Sequence, residues 1–466
     1  MAEDITAYVA AADDDIVAQL KDFLRIPSIS ALPEHRGDIQ RAAQWVAGAL
    51  RAAGMPRVDI MDTGGAPLVF AHWHVSDQLP TVIIYGHYDV QPVDPLDLWS
   101  TPPFEPSVRG GRLYARGASD DKGNIFMPIK AVEAYKELHG QPPLNIKFLI
   151  EGEEEVGSPH LAAFMEKHRD LLAAHLAICA DGSMWDHQTP SLVTGSRGLA
   201  GLQIDVTGPA GDLHSGNHGG GVQNPLHALA AILAGLRSPE GKILVPGFYD
   251  DVRDLTPEEK AAIDAVPFDE EAYKAQLGVA ELFGEPGYST LERQWVRPTL
   301  EVNGMWGGFQ GEGIKTVLPS TAHAKITCRL VPDQDPDKVL DLVEAHIMAN
   351  VPPGVQVSVR RFPGSARPYV MPVKHIALTV AADILSSIYG RRPLVTRMGG
   401  TLPVAEMFRR LLGVNMVFYS FGGPDDQIHA PDESLPLAAI RRGIVAHYEY
   451  LGALARVDAR QLQVSP

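Results

Sequence analysis

With 466 residues and 45% apolar content, the chain can bury more than one hydrophobic core, since single cores stop growing near ~250–300 residues. Its net charge of −17 repels phosphate backbones and anionic headgroups, which argues against nucleic-acid and membrane partners. The two cysteines, Cys179 and Cys328, lie far apart inside apolar runs, so a disulfide framework is excluded and buried thiols in a reducing cytoplasm are expected.

The amino terminus has no basic segment followed by an apolar one, and Asp13, Asp14 and Asp15 interrupt the first helical pattern, so no export signal is expected. No uncharged apolar stretch approaches the ~18 residues that span a bilayer. Residues 15–54 read as helical, with Ile16, Leu20, Phe23 and Leu24 on one stripe, Ala42, Val46 and Leu50 on another, and Gly54 as the stop. Strands at 81–85, 146–150 and 176–179 then alternate with helices near 125–138 and 161–168. That alternation predicts βαβ units, a mostly parallel sheet with helices on both faces, and an α/β fold class. The strands at 81–85 and 146–150 are continuously apolar, as strands covered on both faces are. Ligands of such sheets collect at the carboxyl ends of the strands, and His87, Glu154 and Asp181 stand just past three of them.

After Gly195-Ser196-Arg197-Gly198 the pattern changes to strict alternation at 202–206 and again at 324–330. With helices at 225–236 and 336–348 and a strand at 355–361, this describes an inserted α+β domain. The polar, charged stretch 250–300 reads as an insertion within it. From His375 the first pattern resumes, with strands at 394–397 and 417–420 and a closing helix at 435–454. The expected organisation is a catalytic domain formed by 1–198 and 369–466, interrupted by a domain at 199–368.

Histidine and carboxylate groups suit zinc or manganese, and two ions ~3.5–4 Å apart need one bridging carboxylate plus terminal ligands on each side. His87, Glu155, Asp181, His429 and one of the adjacent Asp120 and Asp121 meet that need; on chemistry alone either aspartate serves as the bridge. Asp89, two residues after His87, is placed to orient its imidazole. Glu154 is left free to take a proton from the bridging water and pass it to a leaving amine. A lone glycine-histidine after a strand is usually structural, and a run of three glutamates is usually a solvated turn. The position of Glu153-Glu154-Glu155 directly after an apolar strand argues for function instead. His72, His74, His160, His175, His187 and His218 read as structural or peripheral, and Gly219-Gly220-Gly221 lacks the strand-to-helix setting of a phosphate loop.

Seven ordered segments carry a resemblance: Gly86-His87-Tyr88-Asp89-Val90-Gln91-Pro92, Ala115-Arg116-Gly117-Ala118-Ser119-Asp120-Asp121-Lys122-Gly123, Glu151-Gly152-Glu153-Glu154-Glu155-Val156-Gly157-Ser158, Asp212-Leu213-His214-Ser215-Gly216, Arg329-Leu330-Val331-Pro332, Gly399-Gly400-Thr401 and Gly422-Gly423-Pro424-Asp425-Asp426-Gln427-Ile428-His429. At these residues the chain resembles the dinuclear zinc amidohydrolases of the M20 metallopeptidase type. That group includes carnosinase-like cytosolic dipeptidases, succinyl-diaminopimelate desuccinylase, aminoacylase and glutamate carboxypeptidase. Residues 88–92 with Leu98-Trp99, Pro102-Pro103-Phe104-Glu105-Pro106 and the long insertion at 240–300 look most like the dipeptidase branch.

The resemblance implies that His87, Asp120, Glu155, Asp181 and His429 hold two divalent ions, zinc with manganese as the alternative, and that Asp120 is the bridge, followed by a cis peptide. It also implies Glu154 as the general base and Asp89 as the partner of His87. In the inserted lid and dimerisation domain, His214 resembles a histidine that acts across a homodimer interface, and Arg329 one that clamps a substrate carboxylate. Thr316 and Thr401 match substrate-contacting positions, the latter more often serine in the family. The implied function is metal-dependent hydrolysis of the amide bond of a dipeptide or similar small amide with a free carboxylate, by a soluble cytoplasmic enzyme. An N-acyl-amino-acid deacylase or carboxypeptidase of the same family is the nearest rival, and a non-catalytic metal-binding scaffold a more distant one.

Overall fold

The computed structural model describes residues 2–463. The chain divides into two compact units. One is built from the chain up to Thr194, Met371–Thr396 and the chain from Met407, the other from Gly195–Val370 and Arg397–Glu406.

The first unit is organised on a six-stranded sheet in the order Arg57–Met61, Leu68–Trp73, Asn145–Glu151, Thr81–His87, Leu176–Cys179, Asn415–Phe418. The last four strands are parallel, and the first two are antiparallel additions at one edge. Asn145–Glu151 is buried at all seven positions, the burial its unbroken apolar run predicts. The helix Lys122–His139 packs on Thr81–His87 and against the closing helix Leu437–Leu454, while Arg36–Ala52 packs on the antiparallel edge. Lys122–His139 ends at Gly140 in the left-handed conformation (φ 79°), which a glycine adopts without Cβ strain.

Three expectations need correction in this unit. The single helical segment over 15–54 is two helices, Asp13–Leu24 and Arg36–Ala52, preceded by another at Ala2–Ala11. Pro27 and Pro33 fall in the break, where missing amide donors and fixed φ interrupt a helix. The stripe Ile16, Leu20, Phe23 and Leu24 is nevertheless buried. The strand Arg57–Met61 was not anticipated, and Leu394–Met398 does not join the six-stranded sheet.

The second unit contains a four-stranded antiparallel sheet in the order Thr299–Gly307, Thr321–Leu330, Gly198–Thr207, Gln356–Arg361. Burial alternates along Thr321–Leu330, which packs on the helix Pro225–Ala234, while the helix Pro336–Ala349 packs on the neighbouring strand Gly198–Thr207. Leu202, Ile204, Ile326, Leu229, Ile232 and Val343 form the centre of that core. The polar stretch 250–300 carries three short helices, Pro257–Asp264, Glu270–Leu277 and Thr290–Trp295. Two of them start with reciprocal capping boxes, Thr256 with Glu259 and Ser289 with Glu292. Arg397–Glu406 groups with this unit although its position in sequence suggests the other. Arg397 is buried and donates to Glu259, and Thr401 accepts from Arg329 at 2.6 Å. Cys179 and Cys328 are free buried thiols.

Ile326 is fully buried at the centre of the second core. Ile326→Ala is expected to lower stability by about 2–5 kcal/mol, through lost apolar burial and the cavity left behind, measured as a shift in the urea unfolding midpoint.

Candidate metal centre

Five short segments, four of them following parallel strands of the six-stranded sheet, bring the first unit's predicted residues together. His87 closes Thr81–His87; Glu154 and Glu155 open the 3-10 turn that follows Asn145–Glu151; Asp181 lies two residues beyond Leu176–Cys179. Asp120 precedes the helix Lys122–His139, and His429 arrives from the chain after Asn415–Phe418. Glycine allows the approach at two points. A Cβ on Gly86 would run into Ile125 and the Asp121 carboxylate, and one on Gly152 into the ring of Tyr88. His429 itself has a left-handed backbone (φ 62°), an uncommon conformation for a residue with a side chain and one that clusters at functional sites.

Two ligand-type clusters result, His87 with Asp120 and Asp181, and Asp120 with Glu155 and His429, the ligand atoms of each lying within 4.8 Å of one another. Asp120 belongs to both. Its Oδ1 lies 3.1 Å from His87 Nε2, its Oδ2 lies 2.8 Å from His429 Nε2, and Glu155 Oε2 is 3.3 Å from that same nitrogen. Asp121 faces the other way: it is buried and accepts from the His87 backbone N–H at 3.1 Å. The Asp120–Asp121 peptide is cis. Asp89 sits behind His87, with its backbone oxygen 3.1 Å and its Oδ1 3.3 Å from Nδ1. The Asp89 carboxylate also accepts from the N–H groups of Glu154 (3.3 Å) and Glu155 (3.1 Å), tying the histidine to the glutamate turn. Glu154 belongs to neither cluster.

The electrostatics follow from crowding in a buried space. Burial, with the nearby charges of Asp181, Glu155 and Asp120, pushes the Glu154 carboxyl up to about 9 against the pull of His87. Burial and the neighbouring Asp120 raise Asp181 to about 7. Burial also works to raise Asp120, but hydrogen bonds and charge from His429 and His87 outweigh it and hold the group below the ordinary carboxylate range. Hydrogen bonds to Asp120 and Glu155 raise His429 to about 10.

The four remaining predicted residues lie in the second unit, in two pairs. His214, on the short strand Leu213–His214, and Thr316, just before its partner strand Val317–Leu318, are both exposed, and the N–H of Ser215 donates to the Thr316 oxygen at 3.0 Å. Arg329 Nη1 donates to Thr401 Oγ1 at 2.6 Å.

Several supporting residues were not anticipated. Glu433 is fully buried and accepts from the backbone N–H groups of Gly117 (3.0 Å), Ser119 (2.9 Å) and Asp120 (3.0 Å) and from Arg116 Nη1 (2.7 Å). It therefore fixes the loop that carries Asp120. Gln91 Nε2 donates to Glu155 Oε2 at 2.8 Å, and His160 Nδ1 lies 2.7 Å from Glu153 Oε2. A third cluster joins His187, Asp425 and Asp426, but Arg112 already pairs with both aspartates, at 3.1 and 2.5 Å, and supplies the cation there. Gln91 stands inside the segment Gly86-His87-Tyr88-Asp89-Val90-Gln91-Pro92; Glu433 has no signal beyond a carboxylate four residues after His429.

The family described as Peptidase family M20/M25/M40 matches residues 83–453. The Cys-Gly metallodipeptidase dug1 of Schizosaccharomyces pombe is 33% identical over 460 residues, covering 96% of each chain. The Beta-Ala-His dipeptidase of Homo sapiens is 31% identical over 453 residues, covering 93% of this chain and 89% of that one. Among solved structures, an M20 family metallo-carboxypeptidase from Sulfolobus solfataricus superposes with a TM-score of 0.83 at 33% identity, covering 95% of this chain and 99% of that one.

Removing Glu433 strands a buried guanidinium and three backbone donors. Glu433→Ala is expected to cost about 3–5 kcal/mol in stability by denaturant unfolding, the range for breaking one side of a buried ion pair.

Proposed function

This chain belongs to peptidase family M20/M25/M40, and from that membership we propose that it is a dinuclear metallopeptidase hydrolysing the amide bond of dipeptides or similar small amides with a free carboxylate. The relatives named as Cys-Gly and Beta-Ala-His dipeptidases support the substrate class, because each aligns over nearly the whole chain. The observation that carries the reading is Asp120, which presents one carboxylate oxygen to His87 and the other to His429.

The donor set fits two divalent ions. Each cluster offers one imidazole nitrogen and two carboxylates, with Asp120 common to both. Such mixed nitrogen and oxygen donors suit zinc, with manganese as the alternative. Bound there, the ions would supply Lewis acidity to the scissile carbonyl and lower the pKa of water. Glu154, outside both clusters, takes the proton of the attacking water and delivers it to the leaving nitrogen. Asp89 keeps the His87 ring oriented. Arg329 and Thr401 receive the substrate carboxylate, for which a guanidinium fork is well shaped. Thr316, exposed beside His214, contacts the substrate near that histidine.

His214 stabilises the developing oxyanion across a homodimer interface, and the inserted unit is the lid and dimerisation domain. Its sheet ends in an edge strand, Thr299–Gly307, on which Val302 and Met305 are 45% and 47% exposed, and Ile314 nearby in sequence is 94% exposed. Unpaired edges and exposed apolar side chains of this kind mark association surfaces. Among the described residues no helix is long and apolar enough to cross a membrane, and the free cysteines suit a cytoplasmic setting. The carboxypeptidase reading retains support from the Sulfolobus solfataricus structure. Turnover of free dipeptides against N-acyl amino acids decides between them.

Glu154→Ala is expected to keep both metals by elemental analysis while losing about 10²–10⁴-fold in kcat. Persistent activity would remove the proton-shuttle role. Asp120→Ala is expected to lose metal and activity together, with the parent enzyme inactivated by chelator and restored by zinc or manganese. His214→Ala is expected to lower kcat by about 10²–10³-fold, and mixing it with Glu154→Ala to restore turnover, because a mixed dimer pairs an intact base with an intact His214. Absence of restoration would place His214 in its own subunit's site.

A further inference from the structure

The second unit holds a cavity of about 390 Å³ whose charge runs against that of the chain. Five arginines line it, Arg197, Arg237, Arg293, Arg297 and Arg329, with only Glu285 and Glu301 as counter-charges. Both oxygens of Glu285 are taken by Arg297, at 2.8 Å each, and Glu301 faces Arg237 at 3.4 Å. That leaves three guanidinium groups with no carboxylate in ion-pair contact among the described residues. Arg197 Nε donates to the Gly399 oxygen at 2.7 Å, Arg293 Nε to the Glu285 backbone oxygen at 2.9 Å, and Arg329 Nη1 to Thr401. All three retain N–H groups for a ligand, and Arg197 Nη1 is buried with no hydrogen-bond partner.

The arrangement is built rather than incidental. Gly284 has φ +150°, and a Cβ there would come within 2.6 Å of Arg293 Cδ, so the glycine lets the arginine stem lie against the backbone. Arg197 precedes the strand Gly198–Thr207, on which Leu199 pairs with Arg329, so two of the free forks are neighbours by strand register. Collecting three uncompensated guanidinium groups in one cavity is costly unless an anion joins them. Planar forks with paired donors select carboxylates, and a space of this size takes a small molecule.

Resting on the reading above in which Arg329 takes the main-chain carboxylate, we propose that the preferred substrates are dipeptides whose C-terminal residue is aspartate or glutamate. The side-chain carboxylate is held by Arg197 and Arg293. A single carboxylate answers one fork; a second on the same residue answers the other two.

The test compares kcat/KM of the full-length, metal-loaded enzyme for Ala-Glu, Ala-Asp, Ala-Gln, Ala-Asn and Ala-Ala. The acidic member of each acid and amide pair is expected to be favoured about tenfold or more, as charge-assisted hydrogen bonds are. Arg293→Gln and Arg197→Gln are each expected to bring that ratio toward one, chiefly by raising KM for the acidic substrate, and Arg293→Lys to retain part of it. Thermal unfolding identifies a variant that fails to fold, and the other then carries the test. Glutarate is expected to inhibit Ala-Ala hydrolysis competitively, and less so in Arg293→Gln. A ratio of one in an enzyme that hydrolyses Ala-Ala would overturn this proposal and leave the dipeptidase reading standing. Non-competitive glutarate inhibition would overturn it in favour of a separate effector site, and failure to hydrolyse any dipeptide would overturn both readings.

Discussion

Everything around the metal centre answers one constraint, the confinement of several carboxylates where water cannot screen them. Two like charges 4 Å apart repel by ~4 kcal/mol at an effective dielectric near 20. Ligand atoms of Asp181 and of Glu155 lie within 4.8 Å of those of Asp120, and burial together with this crowding displaces Glu154 and Asp181 upward to about 9 and about 7. The protein meets the repulsion with imidazoles on two sides of Asp120, and with backbone N–H groups for the carboxylates one layer out. Asp89 receives the Glu154 and Glu155 amides, and Glu433 receives those of Gly117, Ser119 and Asp120. Fixed dipoles of this kind hold negative charge in place without adding a competing cation at the centre itself.

The sheet makes such precision possible. Side chains at the ends of adjacent parallel strands are held by ladder hydrogen bonds, so His87 and Glu151 are register partners and the glutamate turn begins three residues later. The glycines of the motifs belong to the same device. Gly86 and Gly152 are small because Asp121, Ile125 and Tyr88 occupy the volume a side chain would need. Tolerances at the site are thus set by packing behind it, in which Tyr88 and Asp121 are fully buried.

Much of this was legible in the sequence because chemistry and periodicity coincide there. An apolar run buried on both faces, followed at once by a histidine or a glutamate pair, announces both strand and site at 81–87 and 145–155. What escaped notice lacks such coincidence. The strand Arg57–Met61 is a short addition at a sheet edge, with no fully buried position to mark it. Pro27 and Pro33 interrupt the α-helical pattern between Leu24 and Arg36, between two apolar stripes that each read as helical. Glu433 is a single carboxylate in an irregular segment, and its importance arises from loops more than 300 residues earlier in the chain, which no local pattern encodes. Arg397–Glu406 likewise follows Arg397 and Thr401 to partners in the inserted unit, against its position in the chain.

The carboxylate cluster of the first unit and the arginine-lined cavity of the second carry opposite kinds of charge, and the reason is chemical. A guanidinium beside Asp120 would pair with it and occupy the oxygens that two ions would share. The first unit shows the outcome at its other carboxylates: Arg112 is bound to Asp425 and Asp426, and Arg116 to Glu433. Those arginines are consumed in holding the fold. A guanidinium that is to stay free of carboxylates is therefore best supplied from a different structural element. Arg329 meets that condition on a strand of the inserted unit, steadied by the neutral hydroxyl of Thr401. The segment that interrupts the six-stranded sheet in sequence thus separates two sets of charges that would neutralise each other if they shared one strand end.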